Sequence, residues 1–143
     1  SIGDAQGTTG RWVHNWWHGS TGNGTSLYTH IETDLWGGGS PSGNSQFIMG
    51  GFWIKGYQYG SGNNFCIHQF HNWSGALYNH HVSDLGSWTG KTHVYVSSNG
   101  YVTVRLDSRG SYRMWDIDLV QYAQYNKRDI SVRSETRNSA STI

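Results

Sequence analysis

The chain has 143 residues, of which 35% are hydrophobic and 13% charged, with a formal net charge of +1 when histidine is neutral. That length suits a single domain spanning 1–143 around one core, and the near-neutral balance leaves no electrostatic footprint for a nucleic acid or an anionic membrane. The surplus lies in 20 Gly, 8 Trp and 9 Tyr, which is a strand-and-turn composition and the opposite of a disordered one.

Gly-rich punctuation divides the chain into short alternating runs. Arg11 to His18 and Leu27 to Asp34 read as the first two strands, with Leu27, Thr29 and Ile31 on one face. Gly37 to Asn44 reads as a loop. Gln46 to Tyr59 is a long extended run with a bend expected at Gly50-Gly51, since glycine inside a strand marks a bulge or a close approach. A turn at 60–63 leads into Asn64 to His71, and Ala76 to Val82 follows. Thr92 to Ser97 and Tyr101 to Asp107 flank Ser98-Asn99-Gly100, a strong hairpin signal. There Val102, Val104 and Leu106 alternate with Thr103 and Arg105, as in a half-buried antiparallel sheet. Tyr112 to Ala123 alternates as well, and Arg128 to Val132 reads as a last short strand. Residues 134–143 form a polar tail, expected to be frayed. Eight or nine short strands and no amphipathic helix predict an all-β fold, an antiparallel β-sandwich or jelly roll.

Chemistry-bearing groups are sparse in pattern. Cys66 is the only cysteine, so no intrachain disulfide forms, which argues against a small disulfide-stapled secreted domain. No apolar run reaches the length of a membrane span, so no membrane insertion is expected. His68 and His71 lie three apart, and His80 and His81 are adjacent. In strands each pair splits across two faces, so no metal site and no cofactor are expected. Asp116 and Asp118 share a strand face at a spacing that could suit a glycosidase pair, but cross-strand ion pairing with Arg105 or Arg113 is the plainer reading. Glu32 and Asp34 repeat that pattern. No nucleophile elbow or phosphate-cradling loop stands in the context that its chemistry needs, so no catalytic residues are predicted and the chain is read as a binding protein.

The aromatics point to that binding role. Trp12, Trp53 and Trp115 are assigned to packing. Trp36, Trp73 and Trp88 border Gly- and Ser-rich stretches, where an exposed indole stacks on sugar rings while polar neighbours take the hydroxyls. The predicted contacts are Trp36, Trp73, Tyr78 and Trp88, with His71, Asn79 and His80 as polar neighbours. The same residue types also suit protein interfaces.

A resemblance adds a context. Gly51-Phe52-Trp53-Ile54-Lys55-Gly56-Tyr57-Gln58-Tyr59-Gly60, the Tyr78-Asn79 strand, the hairpin from Val94 to Leu106 and Tyr112-Arg113-Met114-Trp115-Asp116-Ile117 together resemble a recurrent β-rich module in the tail fibres of marine and other tailed bacteriophages. The resemblance covers roughly the middle half of the chain, and the Trp- and His-rich start stands outside it. It implies an extracellular, virion-borne, homotrimeric fibre-tip domain that adheres to a host-surface glycan or receptor, and it supplies no catalytic residues. The alternatives are a free-standing lectin-like carbohydrate-binding module, a structural virion protein whose aromatics form subunit interfaces, and a small glycan hydrolase using Asp116 and Asp118.

Overall fold

The computed structural model describes residues 10–21, 26–37, 47–60, 62–73, 76–109, 112–125 and 129–143. They form nine strands: β1 (Arg11–Thr21), β2 (Tyr28–Trp36), β3 (Phe47–Gln58), β4 (Gly62–Trp73), β5 (Ala76–Gly86), β6 (Thr92–Val96), β7 (Tyr101–Asp107), β8 (Arg113–Tyr125) and β9 (Val132–Asn138). A five-stranded sheet of order β1-β8-β3-β4-β5 packs on a four-stranded sheet of order β6-β7-β2-β9, and every pairing is antiparallel. This is the all-β sandwich that the alternation predicts.

The core lies between the sheets. Phe52 and Ile54 of β3 and Trp115, Ile117 and Leu119 of β8 meet Ile31 and Leu35 of β2, Val94 of β6 and Val102, Val104 and Leu106 of β7. Each such side chain, fully buried, contributes about 1.5–3 kcal/mol of transfer free energy. Gly56 of β3 pairs with Asn64 on one side and Trp115 on the other. A Cβ there would come within 2.6 Å of the Trp115 ring and 3.1 Å of Trp88. The missing side chain leaves room for these two indoles to pack, with centroids 5.0 Å apart.

Bulges adjust both edges of the five-stranded sheet. Between Val13↔Leu119 and Trp17↔Ile117, three residues of β1 oppose the single residue Asp118, and Asn15 takes a positive φ of 54°. In β5, Asn79 and His80 together oppose Phe70, with Asn79 at a φ of 50°. The extra residue resets the alternation, so that His80 turns inward while Tyr78 and His81 point outward. The bend expected at Gly50-Gly51 is a register shift of β3 against β8 between Met49 and Gly50. The 37–44 loop lies mostly outside the described residues.

The C-terminal region departs from expectation. The last strand is Val132–Asn138, later than the 128–132 run suggested, and it pairs with β2 along its length. The following residues fold over the outer face of the four-stranded sheet. Ser98 N–H donates to the Ile143 carbonyl at 2.9 Å, and Arg105 donates to the Ser141 carbonyl at 2.8 Å. Fully buried His30 faces the Asn138 Oδ1 and Ala140 carbonyl acceptors through Nε2, each at 3.0 Å. Its Nε2 must therefore carry the proton. Its Nδ1 then accepts from the Tyr95 hydroxyl at 2.7 Å, and that hydroxyl accepts from Ile143 N–H at 3.0 Å. The tail is polar because it bonds to a polar sheet face. Glu32 is buried on the same face, bonded to Arg133 at 2.7 Å and Ser97 at 2.7 Å.

Candidate binding site: the outer face of the five-stranded sheet

The tail covers one sheet, and among the described residues none covers the outer face of the other. Directly paired residues of antiparallel strands share a face, so the registers lay out five cross-strand rows. They run Ser20–Met114–Tyr57–Asn63, then His18–Asp116–Lys55–Phe65–Leu85, then Asp118–Trp53–Ile67–Ser83, then Trp12–Val120–Gly51–Gln69–His81, and last Met49–His71–Tyr78. Trp12, Met49, Tyr57, Trp73, Tyr78, Leu85, Met114 and Tyr122 are all exposed. So much apolar side chain on one side of a sheet exceeds ordinary surface scatter.

Among the described residues, two depressions are formed on this face. The larger, about 500 Å³, is lined by His18, Lys55, Tyr57, Asn63, Phe65, Met114 and Asp116, with the backbone ridge at Gly56. The smaller, about 260 Å³, lies toward the far end of β3, among Met49, Gln69, His71, Asn79 and Tyr122. There His71 stacks on Tyr78, with centroids 5.3 Å apart and planes 17° from parallel, and Gln69 donates to the Tyr122 hydroxyl at 2.8 Å. Met49 and Tyr57 stand eight positions apart on β3, so the two depressions are separated by about 26 Å of strand.

A buried carboxylate holds the middle of the face. Asp118 accepts from Asn15 N–H at 2.9 Å and Trp12 Nε1 at 3.0 Å, and it lies 3.2 Å from Lys55 Nζ. Burial pushes its pKa up, but these bonds outweigh burial and hold it below the ordinary carboxylate value. Asp118 thus fills the gap that the β1 bulge opens and fixes Trp12 against Trp53 at 4.5 Å. Lys55 also pairs with Asp116 at 3.0 Å. Burial works against its charge, yet the two carboxylates prevail and raise its pKa. The two aspartates therefore pair with a lysine, where arginines were expected.

Four of the predicted contact residues come together. His71, Trp73 and Tyr78 stand on this face and Asn79 lines the smaller depression. The other three do not join them. Trp88 is only 7% exposed, a core residue under the Arg113 guanidinium at 4.8 Å, so it presents nothing to a ligand. Trp36 belongs to the four-stranded sheet and packs edge-on against Tyr101 at 5.1 Å. His80 points inward, its Nε2 3.1 Å from Nδ1 of buried His68. Trp12 was assigned to packing but is partly exposed on the outer face, whereas Trp115 is core as expected.

Sequence reasoning missed Met49, Lys55, Tyr57, Gln69, Met114 and Tyr122. Their signal was present: β3 and β8 carry large apolar side chains at both odd and even positions, so one set had to face outward. Among the described residues, no group of three His, Cys, Asp or Glu is placed to hold a metal ion. No protein-family model, curated protein or solved structure matches the chain.

Proposed function

We propose that this is an adhesion domain that binds a cell-surface glycan across the outer face of its five-stranded sheet. One observation carries the reading: this sheet face holds exposed Tyr57, Tyr78, Tyr122, Trp73, Met49 and Met114 around two depressions bordered by Asn, Gln, His and Lys. Aromatic planes take the C–H faces of sugars, and the polar neighbours take the hydroxyls. The resemblance of the Phe47 to Val120 region to tailed-bacteriophage fibre modules supports a virion context. There the domain works as a homotrimeric fibre tip and the glycan is the host's receptor.

Retention on immobilised bacterial surface polysaccharides tests the binding. Tyr78→Ala/Tyr122→Ala, on the outer face, abolishes retention, while Arg137→Ala, on the other sheet, leaves it intact. Equal retention of all three proteins contradicts the reading.

A second reading rests on the same exposed side chains. A face this apolar can instead bury against a neighbouring subunit, making the domain a structural virion protein. That reading requires these residues to be inaccessible in the assembled protein.

A further inference from the structure

We infer that the larger depression is a subsite for an uncharged pyranose bearing two neighbouring free hydroxyls. The inference rests on the glycan-binding reading of this face and names the chemistry of the sugar.

The depression has two walls. On one side stand Tyr57 and Met114, a directly paired couple, both exposed. On the other stands the Lys55–Asp116 pair. Lys55 and Tyr57 are alternate residues on the same face of β3, so the walls are about 7 Å apart. That is room for one sugar ring lying between an aromatic plane and a polar edge.

The polar edge offers one donor next to one acceptor. Lys55 Nζ has three hydrogens, and contacts with Asp116 at 3.0 Å and Asp118 at 3.2 Å engage two of them. The third is available to donate to a hydroxyl oxygen. The Asp116 side chain is partly exposed while its Oδ1 is enclosed, so the carboxylate edge open to the groove is Oδ2. Nζ and Oδ2 sit 3.0 Å apart. Two adjacent hydroxyls of a pyranose match this arrangement: one accepts from Nζ and its neighbour donates to Oδ2. Asn63, across from Tyr57 on β4, stands at the rim as a further hydrogen-bonding group.

Charge selects among sugars. Lys55 faces Asp116 and Asp118 together, so this cluster carries a net negative charge with Lys55 already neutralised. A uronate, sialate or phosphorylated sugar would set its anion against two carboxylates and find no free cation in Lys55. His18 stands exposed at the end of the same row.

The chain contains two methionines, Met49 and Met114, and one lines each depression. Labelling methionine methyl groups with carbon-13 therefore gives one NMR reporter for each. The probes are methyl mannoside, methyl galactoside and methyl glucuronide. At least one of the neutral glycosides shifts the Met114 signal saturably. Tyr57→Ala and Asp116→Asn each weaken that binding at least tenfold, and the glucuronide binds several-fold more weakly than the neutral sugar. A Met114 signal that no neutral glycoside moves overturns the assignment, as does one that moves equally in Asp116→Asn or that responds best to the glucuronide. If Met49 responds while Met114 does not, this subsite is refuted and the wider reading of the face stands. If neither responds to monosaccharides or to the polysaccharide that the domain retains, both fall.

Discussion

At the scale of residues, Asp118 and His68 show how burial reassigns a side chain. Asp118 alternates with Ile117 and Leu119, and in sequence it reads as one of a solvated pair with Asp116. Its actual role follows from a bulge about a hundred residues away, which brings Asn15 N–H and Trp12 Nε1 onto its oxygens. Nothing local to β8 records that contact. Asp118→Ala leaves Asn15 N–H and Trp12 Nε1–H without their acceptor and Lys55 with Asp116 alone. It should lower stability by about 2–4 kcal/mol, read as a fall in the urea midpoint at unchanged slope.

His68 gives the domain a pH dependence. It is buried and hydrogen-bonded to His80 and to Thr92 Oγ1 at 2.8 Å. Burial first, then the nearby His80 and His93, push its pKa down to about 3. His80, His93 and His30 are shifted down as well, each chiefly by burial. His68 stays neutral in the folded domain through this range but takes a proton near pH 6.5 when unfolded, and the other three are likewise harder to protonate when folded, so the unfolded state binds more protons as pH falls. Stability is complete above about pH 6.5 and declines below it, by roughly 3 kcal/mol from His68 alone between pH 7 and pH 4. Denaturation at stepped pH measures this, and a flat profile from pH 7 to pH 4 contradicts it. The separation of His68 from His71, and of His80 from His81, was legible from strand alternation alone. The partnership of His68 with His80 was not, because it depends on the Asn79 bulge.

At the scale of elements, seven strands were located to within a few residues of their ends, because each alternates between flanking Gly or Asn turns. β5 runs farther than the Ala76–Val82 segment, and β9 begins where the predicted strand ended. β9 failed as a prediction for a physical reason. Val-Arg-Ser-Glu-Thr-Arg-Asn has no apolar face, since neither side of this edge strand enters the core, and its order comes from pairing with β2. The tail beyond it is held by hydrogen bonds that leave no periodicity. Tyr95→Phe removes the hydroxyl that links His30 to Ile143 N–H. The expected cost is about 1–2 kcal/mol, together with faster amide hydrogen exchange at Ile143 while the β6–β7 hairpin stays protected. Unchanged exchange at Ile143 would show that the tail is held by other means.

At the scale of the whole molecule, fold class was legible and sheet order was not. Strands adjacent in space, such as β1 with β8 and β2 with β9, are far apart in sequence, and alternation says nothing about partners. The proposed binding face was legible in part. Aromatic excess pointed to it, and His71, Trp73, Tyr78 and Asn79 mark one end. The centre of the proposed face is made by outward residues of β3 and β8, which follow from strand alternation and not from loop composition. The tail supplies the asymmetry: it covers the four-stranded sheet with polar contacts, while among the described residues none covers the aromatic face of the other sheet.

The most direct test of that open face is the oxidation of Met49 and Met114 by dilute peroxide, followed by mass spectrometry with and without saturating polysaccharide. Both methionines are exposed, at 60% and 59%, and exposed thioethers form sulfoxides readily. The account predicts rapid oxidation of both in the free domain and protection of both in the bound one. Rapid oxidation that bound polysaccharide does not slow would place the binding elsewhere, and slow oxidation in the free protein would mean that another subunit already covers the face.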